Sequence, residues 1–202
     1  MSGVFLSIGC AVYLSAESKP LGAFLFSLGL YSIICFGLNL YTGKAGYMAV
    51  KPPSYILEVL FTFIGNIIGT AFGGTALTLT RFGGELSLKA AAVIDGKFTD
   101  DPLSIFILAF FCGILMFTAV DGNKKAAAKN NFIGGVFLAV LPVMVFITCG
   151  FNHSVADTAY FFLSRCHDLP SAPFYFILAV LGNAVGCMTI PFIKKMTDKA
   201  YI

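Results

Sequence analysis

The sequence has no tryptophan, only two histidines and little charge: 11% of its 202 residues are Asp, Glu, Lys or Arg. Soluble domains carry about 25%, so an ordinary water-soluble enzyme and a disordered chain are both excluded. Thirteen Lys and Arg against ten Asp and Glu leave a net charge of +3. With the lysines scattered, nothing marks a nucleic-acid partner. Neither a CxxC pair nor a Cys/His spacing of the zinc kind occurs, so no structural metal and no cofactor is expected. Cys10, Cys35, Cys112, Cys149 and Cys187 sit within apolar stretches and read as small hydrophobes rather than a disulfide framework.

What the sequence does have is apolar bulk: 58% hydrophobic residues, 22 Phe and a mean hydropathy of +0.88. A spanning helix needs roughly 20 apolar residues. Five such runs occur, at Leu21–Leu40, Tyr55–Leu79, Pro102–Val120, Phe132–Gly150 and Pro173–Pro191. A sixth, Gly3–Ala16, is too short to cross alone, and with no charged flank or cleavage site before it the first helix is expected to be truncated. The expectation is an all-α, six-helix membrane protein, with residues 1–202 forming one transmembrane domain. Polar connections lie between the runs, the longest being Thr80–Asp101, which reads as a solvated loop. The loop Leu163–Ala172 contains His167 and Asp168.

Counted on alternating sides, five Lys and Arg fall on one face (Lys19, Arg81, Lys89, Lys97, Arg165). Eight fall on the other (Lys44, Lys51, Lys124, Lys125, Lys129, Lys194, Lys195, Lys199). The richer side is expected to be cytoplasmic, which places both termini inside a cell (inner) membrane, with the last lysines against its anionic surface.

Two patterns recur in order. Phe36-Gly-Leu-Asn-Leu-Tyr-Thr-Gly43 is followed by Gly65-Asn-Ile-Ile-Gly69, and Cys149-Gly-Phe-Asn-His-Ser-Val-Ala156 by Gly182-Asn-Ala-Val-Gly186. The halves, about 1–80 and 102–192, read as duplicated three-helix units. An odd number of spans forces the units to insert in opposite senses, the inverted-repeat plan of channels and transporters. The Gly-xxx-Gly pairs predict close backbone approach between neighbours. Asn66 and Asn183 read as interhelical hydrogen-bond formers or, for Asn183, as pathway lining. Polar interruptions at Asn39–Gly46 and Gly150–Asp157 predict that the second and fifth helices are broken and that both breaks point inward, because irregular backbone at membrane depth must be enclosed. Half-helix starts with exposed N–H groups would favour an anion.

His153 lies within the second interruption beside Asn152, Ser154 and Asp157. An ionisable residue at membrane depth costs several kcal/mol and reads as functional. The bland alternative is a neutral histidine hydrogen-bonded inside a helix bundle.

At this point the chain resembles the formate/nitrite transporter family. Cys149-Gly-Phe-Asn-His-Ser-Val-Ala-Asp157 is similar to that family's Gly-Phe-Glu-His-Ser-x-Ala-Asn signature, and Leu40-Tyr-Thr-Gly43 to its Leu-Phe-Thr-Gly. The resemblance implies an aquaporin-like fold, a homopentamer, and passage of small monovalent anions such as formate, nitrite or hydrosulfide together with protons. By the same resemblance His153 is the central histidine and Thr42 the loop threonine beside it. Leu30 and Leu40 match one apolar constriction, Phe26 and Phe146 the other, and Lys97 a lysine ahead of the fourth helix. The departures are Asn152 for the signature glutamate, Asp157 for its asparagine, and Phe117 for an asparagine of many relatives. The acid has moved five residues along, and Lys44 could offset it.

Magnitudes favour proton exchange. A bare anion in a low-dielectric slit faces an idealised cost of about 20 kcal/mol, whereas a helix N-terminus returns up to about 2 kcal/mol. A histidine, with an unperturbed pKa of about 6.5, can share a proton instead. Three alternatives stay open: a membrane enzyme using His153 and Asp157 at i, i+4, a non-conducting structural protein, and a hydrosulfide or neutral-solute pore of the same fold.

Overall fold

The structure, a computed structural model, describes residues 1–165, 170 and 172–197. His167, Asp168 and Lys199 lie outside the described residues. Nine α-helices follow in order: α1 (Ser2–Ser15), α2 (Lys19–Cys35), α3 (Tyr41–Ala45), α4 (Tyr55–Thr78), α5 (Gly83–Phe98), α6 (Pro102–Ala128), α7 (Phe132–Thr148), α8 (Ser154–Ser164) and α9 (Ala172–Thr197). A 3-10 turn, Gly46–Ala49, extends α3. Among the described residues only α4, α6 and α9 are long and apolar enough to cross a membrane as single helices.

The second and fifth helices break, but earlier than the polar residues suggest. Helix α2 ends at Cys35 and α7 at Thr148, and the chain is helical again from Tyr41 and Ser154. Both stops have one cause. Gly37 (φ 62°) and Gly150 (φ 69°) adopt the left-handed conformation, which glycine takes without a Cβ penalty. The following N–H then reaches back five residues, Leu38 to the Ile33 carbonyl and Phe151 to the Phe146 carbonyl, at 2.9 Å each. These are Schellman closures at equivalent places in the two repeats.

Packing repeats as well. Helix α1 lies against α4 and α6 against α9, while α2 meets α7 and α4 and α5 cover α8. At the first contact Gly69 faces Gly3, where an added Cβ would come within 3.1 Å of the Gly3 Cα. At the second, a Cβ on Gly186 would collide with the Phe110 carbonyl, and one on Gly182 would stand 2.6 Å from the Phe106 carbonyl. Gly65 departs from the expected pattern: no atom lies within 4 Å of where its Cβ would be.

The stretch expected to be a solvated loop is mostly helix. In α5 the residues Leu86, Ala90, Ile94 and Phe98 recur every four positions and are buried, so one stripe is apolar even though the segment as a whole is polar. Lys89 pairs with Glu85 at 2.7 Å and donates to the last-turn carbonyl of Leu14 at 2.9 Å, tying α5 to the end of α1.

The two classes of glycine give opposite expectations. Gly186→Ala should lower the thermal midpoint of the purified protein, at about 1–3 kcal/mol for an overpacked contact. Gly65→Ala should raise it, because alanine is favoured by roughly 0.5–1 kcal/mol inside a helix with room for the methyl.

Candidate functional site

Two breaks inside a membrane bundle leave backbone groups that lipid cannot satisfy. One asparagine closes each. Asn66 on α4 accepts from the Tyr41 N–H at 2.8 Å and donates to the Asn39 carbonyl at 3.0 Å. Asn183 on α9 accepts from the Ser154 N–H at 2.8 Å and donates to the Asn152 carbonyl at 2.8 Å. Its amide also reaches the Ala109 carbonyl of α6 at 2.8 Å. In both repeats the clip spans the first residue of the second half-helix and the residue two before it.

The starts of α3 and α8 meet at one polar contact: Thr42 Oγ1 and His153 Nε2 are 3.2 Å apart, and both residues are buried. His153 is also the N-cap of α8, its Nδ1 accepting the Ala156 N–H at 3.1 Å. A nitrogen that accepts carries no proton, so the neutral ring has its hydrogen on Nε2, facing Thr42. Three of the N–H groups at the start of α8 are held within the protein and are not offered to a solute. Those of Ser154 and Ala156 go to Asn183 and His153, and that of Asp157 goes to the His153 carbonyl at 2.8 Å.

Residues next to Thr42 and His153, though neither of the two themselves, line two cavities. One of about 310 Å³ is lined by Tyr13, Lys19, Lys97, Phe146, Phe151 and Asp157, among others. The other, about 90 Å³, is lined by Ile33, Leu40, Gly43, Lys44, Val120 and Lys124, among others. Phe26 and Phe146 meet edge to face, with centroids 5.7 Å apart, and the Phe146 ring lies 5.4 Å from the imidazole. Leu30, one turn along α2 from Phe26, is buried, as is Leu40. The structure therefore links Phe26, Phe146, His153 and Thr42 in one chain of contacts, with Phe146 in the lining of the first cavity and Leu40 in that of the second.

The remaining residues are placed differently. Phe117 is buried, stacks edge to face on Tyr47 at 5.5 Å and fills the space opposite Gly46; it lines neither of these cavities. Lys97 reaches the Asn152 side-chain oxygen at 2.8 Å and Asp157 at 3.1 Å. Asp157 also accepts the Tyr175 hydroxyl at 2.7 Å. Asp157 and His153 thus hold separate partners, not each other as an acid/base pair would. Lys44 pairs with Glu58 and does not offset Asp157. Among the described residues no group of three His, Cys, Asp or Glu converges where a metal ion would sit.

Sequence reasoning missed two neighbours. The Cys187 thiol reaches the Thr42 carbonyl at 3.1 Å and that of Gly113 at 3.2 Å, so it joins α3 to α6 and does more than fill space. Tyr175 lies in an apolar helix where no sequence signal separates it from a packing aromatic.

Removing either clip should destabilise the protein markedly. Asn183→Ala leaves the Ser154 N–H and the Asn152 carbonyl without the partner that clips them, at about 1–3 kcal/mol for each orphaned group. Asn66→Ala leaves only the Tyr41 N–H, because the Asn39 carbonyl still accepts the Ser2 hydroxyl at 2.7 Å, so the expected drop in thermal midpoint is smaller. Asn183→Asp, which keeps the acceptor, should fall between the wild type and Asn183→Ala.

Known proteins share this fold. The family model described as "Formate/nitrite transporter" matches residues 1–194. The formate channel FocA of Escherichia coli (strain K12) is 24% identical over 176 residues, 77% of this chain and 61% of the relative. The uncharacterized transporter YrhG of Bacillus subtilis (strain 168) is 30% identical over 154 residues, 69% of this chain and 55% of the relative. The chain thus spans about three fifths of the length of these curated relatives. Among solved structures, a pentameric formate channel with formate bound superposes with a TM-score of 0.81 at 22% identity, covering 97% of this chain and 92% of its own. An FNT family ion channel gives 0.83 at 19% identity, covering 98% and 86%. These relatives are channels and transporters rather than enzymes, and with the family model running the length of both repeats, this chain belongs to the formate/nitrite transporter family.

Proposed function

We propose that this protein is a membrane channel for small monovalent anions, with formate the first candidate and nitrite and hydrosulfide of the same class. The observation that carries the reading is the Thr42–His153 contact, 3.2 Å long, a buried polar pair whose neighbours Phe146 and Ala156 line one cavity and Leu40 and Gly43 the other. A pentamer is the assembly of the formate channel it resembles in fold, and we extend that state to this chain. The pathway lies within each protomer, since both cavities and the contact between them are built from one chain. Lys44 and Lys124 line the cavity on the side proposed to be cytoplasmic, together with both termini.

The chemistry follows from the ring's two bonds. With Nδ1 capping α8 and Nε2–H directed at Thr42, the Thr42 hydroxyl is the donor left to orient an anion between the Phe26/Phe146 pair and Leu30/Leu40. Once the ring has taken up a second proton, passing a proton to the solute neutralises it and returns the ring to neutral, avoiding most of the roughly 20 kcal/mol idealised cost of a bare charge. A second proton on the ring would face the Ala156 N–H. Proton exchange is therefore coupled to loosening of the α8 cap, and flux should depend on pH. Asn183 acts by positioning the break, not by touching the solute.

The test is formate, nitrite and hydrosulfide flux into proteoliposomes between about pH 5 and 8, the range in which an imidazole titrates. Wild type should conduct with a pH-dependent rate. His153→Asn, whose side chain still caps a helix, should keep the thermal midpoint near wild type and lose the pH dependence. His153→Phe should lose both, with about 1 kcal/mol of stability going with the cap. Flux of none of the three anions would return the protein to the non-conducting reading, and a pH-independent wild-type rate would remove His153 from the mechanism.

A further inference from the structure

An ammonium group has three N–H donors, and the structure engages all three of those on Lys97. They meet the Phe151 carbonyl at 3.3 Å, the Asn152 side-chain oxygen at 2.8 Å and an Asp157 oxygen at 3.1 Å. The second Asp157 oxygen accepts the Tyr175 hydroxyl at 2.7 Å, and the Asn152 amide donates to the Ile105 carbonyl at 3.2 Å. Four helices are joined here: α5 through Lys97, α6 through Ile105, α8 through Asp157 and α9 through Tyr175. The side chains are 14% exposed at Lys97 and 2% at Asp157. Yet both residues line the larger cavity, on the side of His153 where Phe146 stands.

We infer that Lys97, Asp157 and Tyr175 form a charge-neutral clasp that positions His153 and sets the electrostatic bias of the larger cavity. Lys97 is not a docking point for the anion, because it has no donor left to give. Its bonds to Phe151 and Asn152 fix the two residues before His153, and its bond to Asp157 fixes the residue one turn after, so the histidine is held from both sides. The pair also cancels: a lone lysine at this wall would raise the local anion concentration and a lone aspartate would lower it. Asn152 and Asp157 both touch the same ammonium, so a carboxylate at either position serves the clasp. Lys19, which also lines this cavity, is left as its attracting charge. Tyr175 is a positioning residue, since it reaches Lys97 only through Asp157.

This inference rests on the anion-channel reading for its flux arm and on a separate measurement for its structural arm. Formate flux is measured at several concentrations and ionic strengths for wild type, Asp157→Asn, Tyr175→Phe and the exchange variant Asn152→Asp/Asp157→Asn. Asp157→Asn uncovers one positive charge and should lower the apparent KM for formate by roughly threefold or more at low salt, an effect that fades as salt screens it. The exchange variant should return KM to the wild-type value. Tyr175→Phe keeps both charges, so KM should stay near the wild-type value while the thermal midpoint falls with the lost bond to Asp157. A purely structural role would lower the maximal rate and leave KM and its salt dependence alone.

The inference is overturned if Asp157→Asn keeps the wild-type KM at every salt concentration, or if the exchange variant behaves like Asp157→Asn. Thermal midpoints of the same four proteins read the clasp without transport: Asp157→Asn should fall and the exchange variant should regain most of the loss. Absence of flux in wild type would defeat the channel reading, while the midpoints would still decide the clasp.

Discussion

The architecture turns on a single constraint, that backbone polar groups at membrane depth need partners inside the protein. Two helices stop within the bundle, and each stop creates orphaned groups on both sides of the gap. The sequence answers with the same two devices twice. A left-handed glycine closes the first half-helix on itself, and an asparagine from the last helix of the same repeat clips the start of the second half. Because the clips hold the breaks at fixed positions, α3 and α8 can end facing each other, and Thr42 and His153 can meet.

Around that meeting point the protein separates two physical tasks. In the proposed pathway, buried apolar side chains, Phe26 and Phe146 on one side and Leu30 and Leu40 on the other, are the ones to narrow and dry the space. Charges are kept back from it in pairs, Lys97 with Asp157 and Lys44 with Glu58. A buried pair is weak evidence for stability in itself, since desolvation offsets much of the attraction. Here the pairing also cancels the charge of Lys97 and of Lys44, and leaves hydrogen-bonding groups rather than fixed charge at the Thr42–His153 contact.

Much of this was legible in the sequence because it is carried by short, local patterns. Gly37 and Gly150, Asn66 and Asn183, and the residues around Thr42 and His153 sit in matching strings, so the repeat and both breaks show without any structure. What could not be read depends on contacts between distant segments. The stripe of Leu86, Ala90, Ile94 and Phe98 was diluted by polar neighbours, so α5 passed for a loop. The break positions were misplaced by about three residues because polarity marks where side chains face water or each other, whereas the helix ends where glycine turns left-handed. Gly65 matches its repeat partner in spacing yet faces open space, since the motif states what is small and not what lies opposite. The Tyr175–Asp157 bond has no local signature at all.

The repeats match in backbone but not in what caps them. His153 and Leu40 occupy the same place, the residue before the second half-helix. The imidazole caps an eleven-residue helix, whereas the leucine makes no side-chain bond to one of five residues. One half-helix start is therefore fastened through a ring that can take up a proton and the other is not, so a change in proton load acts first on one half of a nearly symmetrical scaffold.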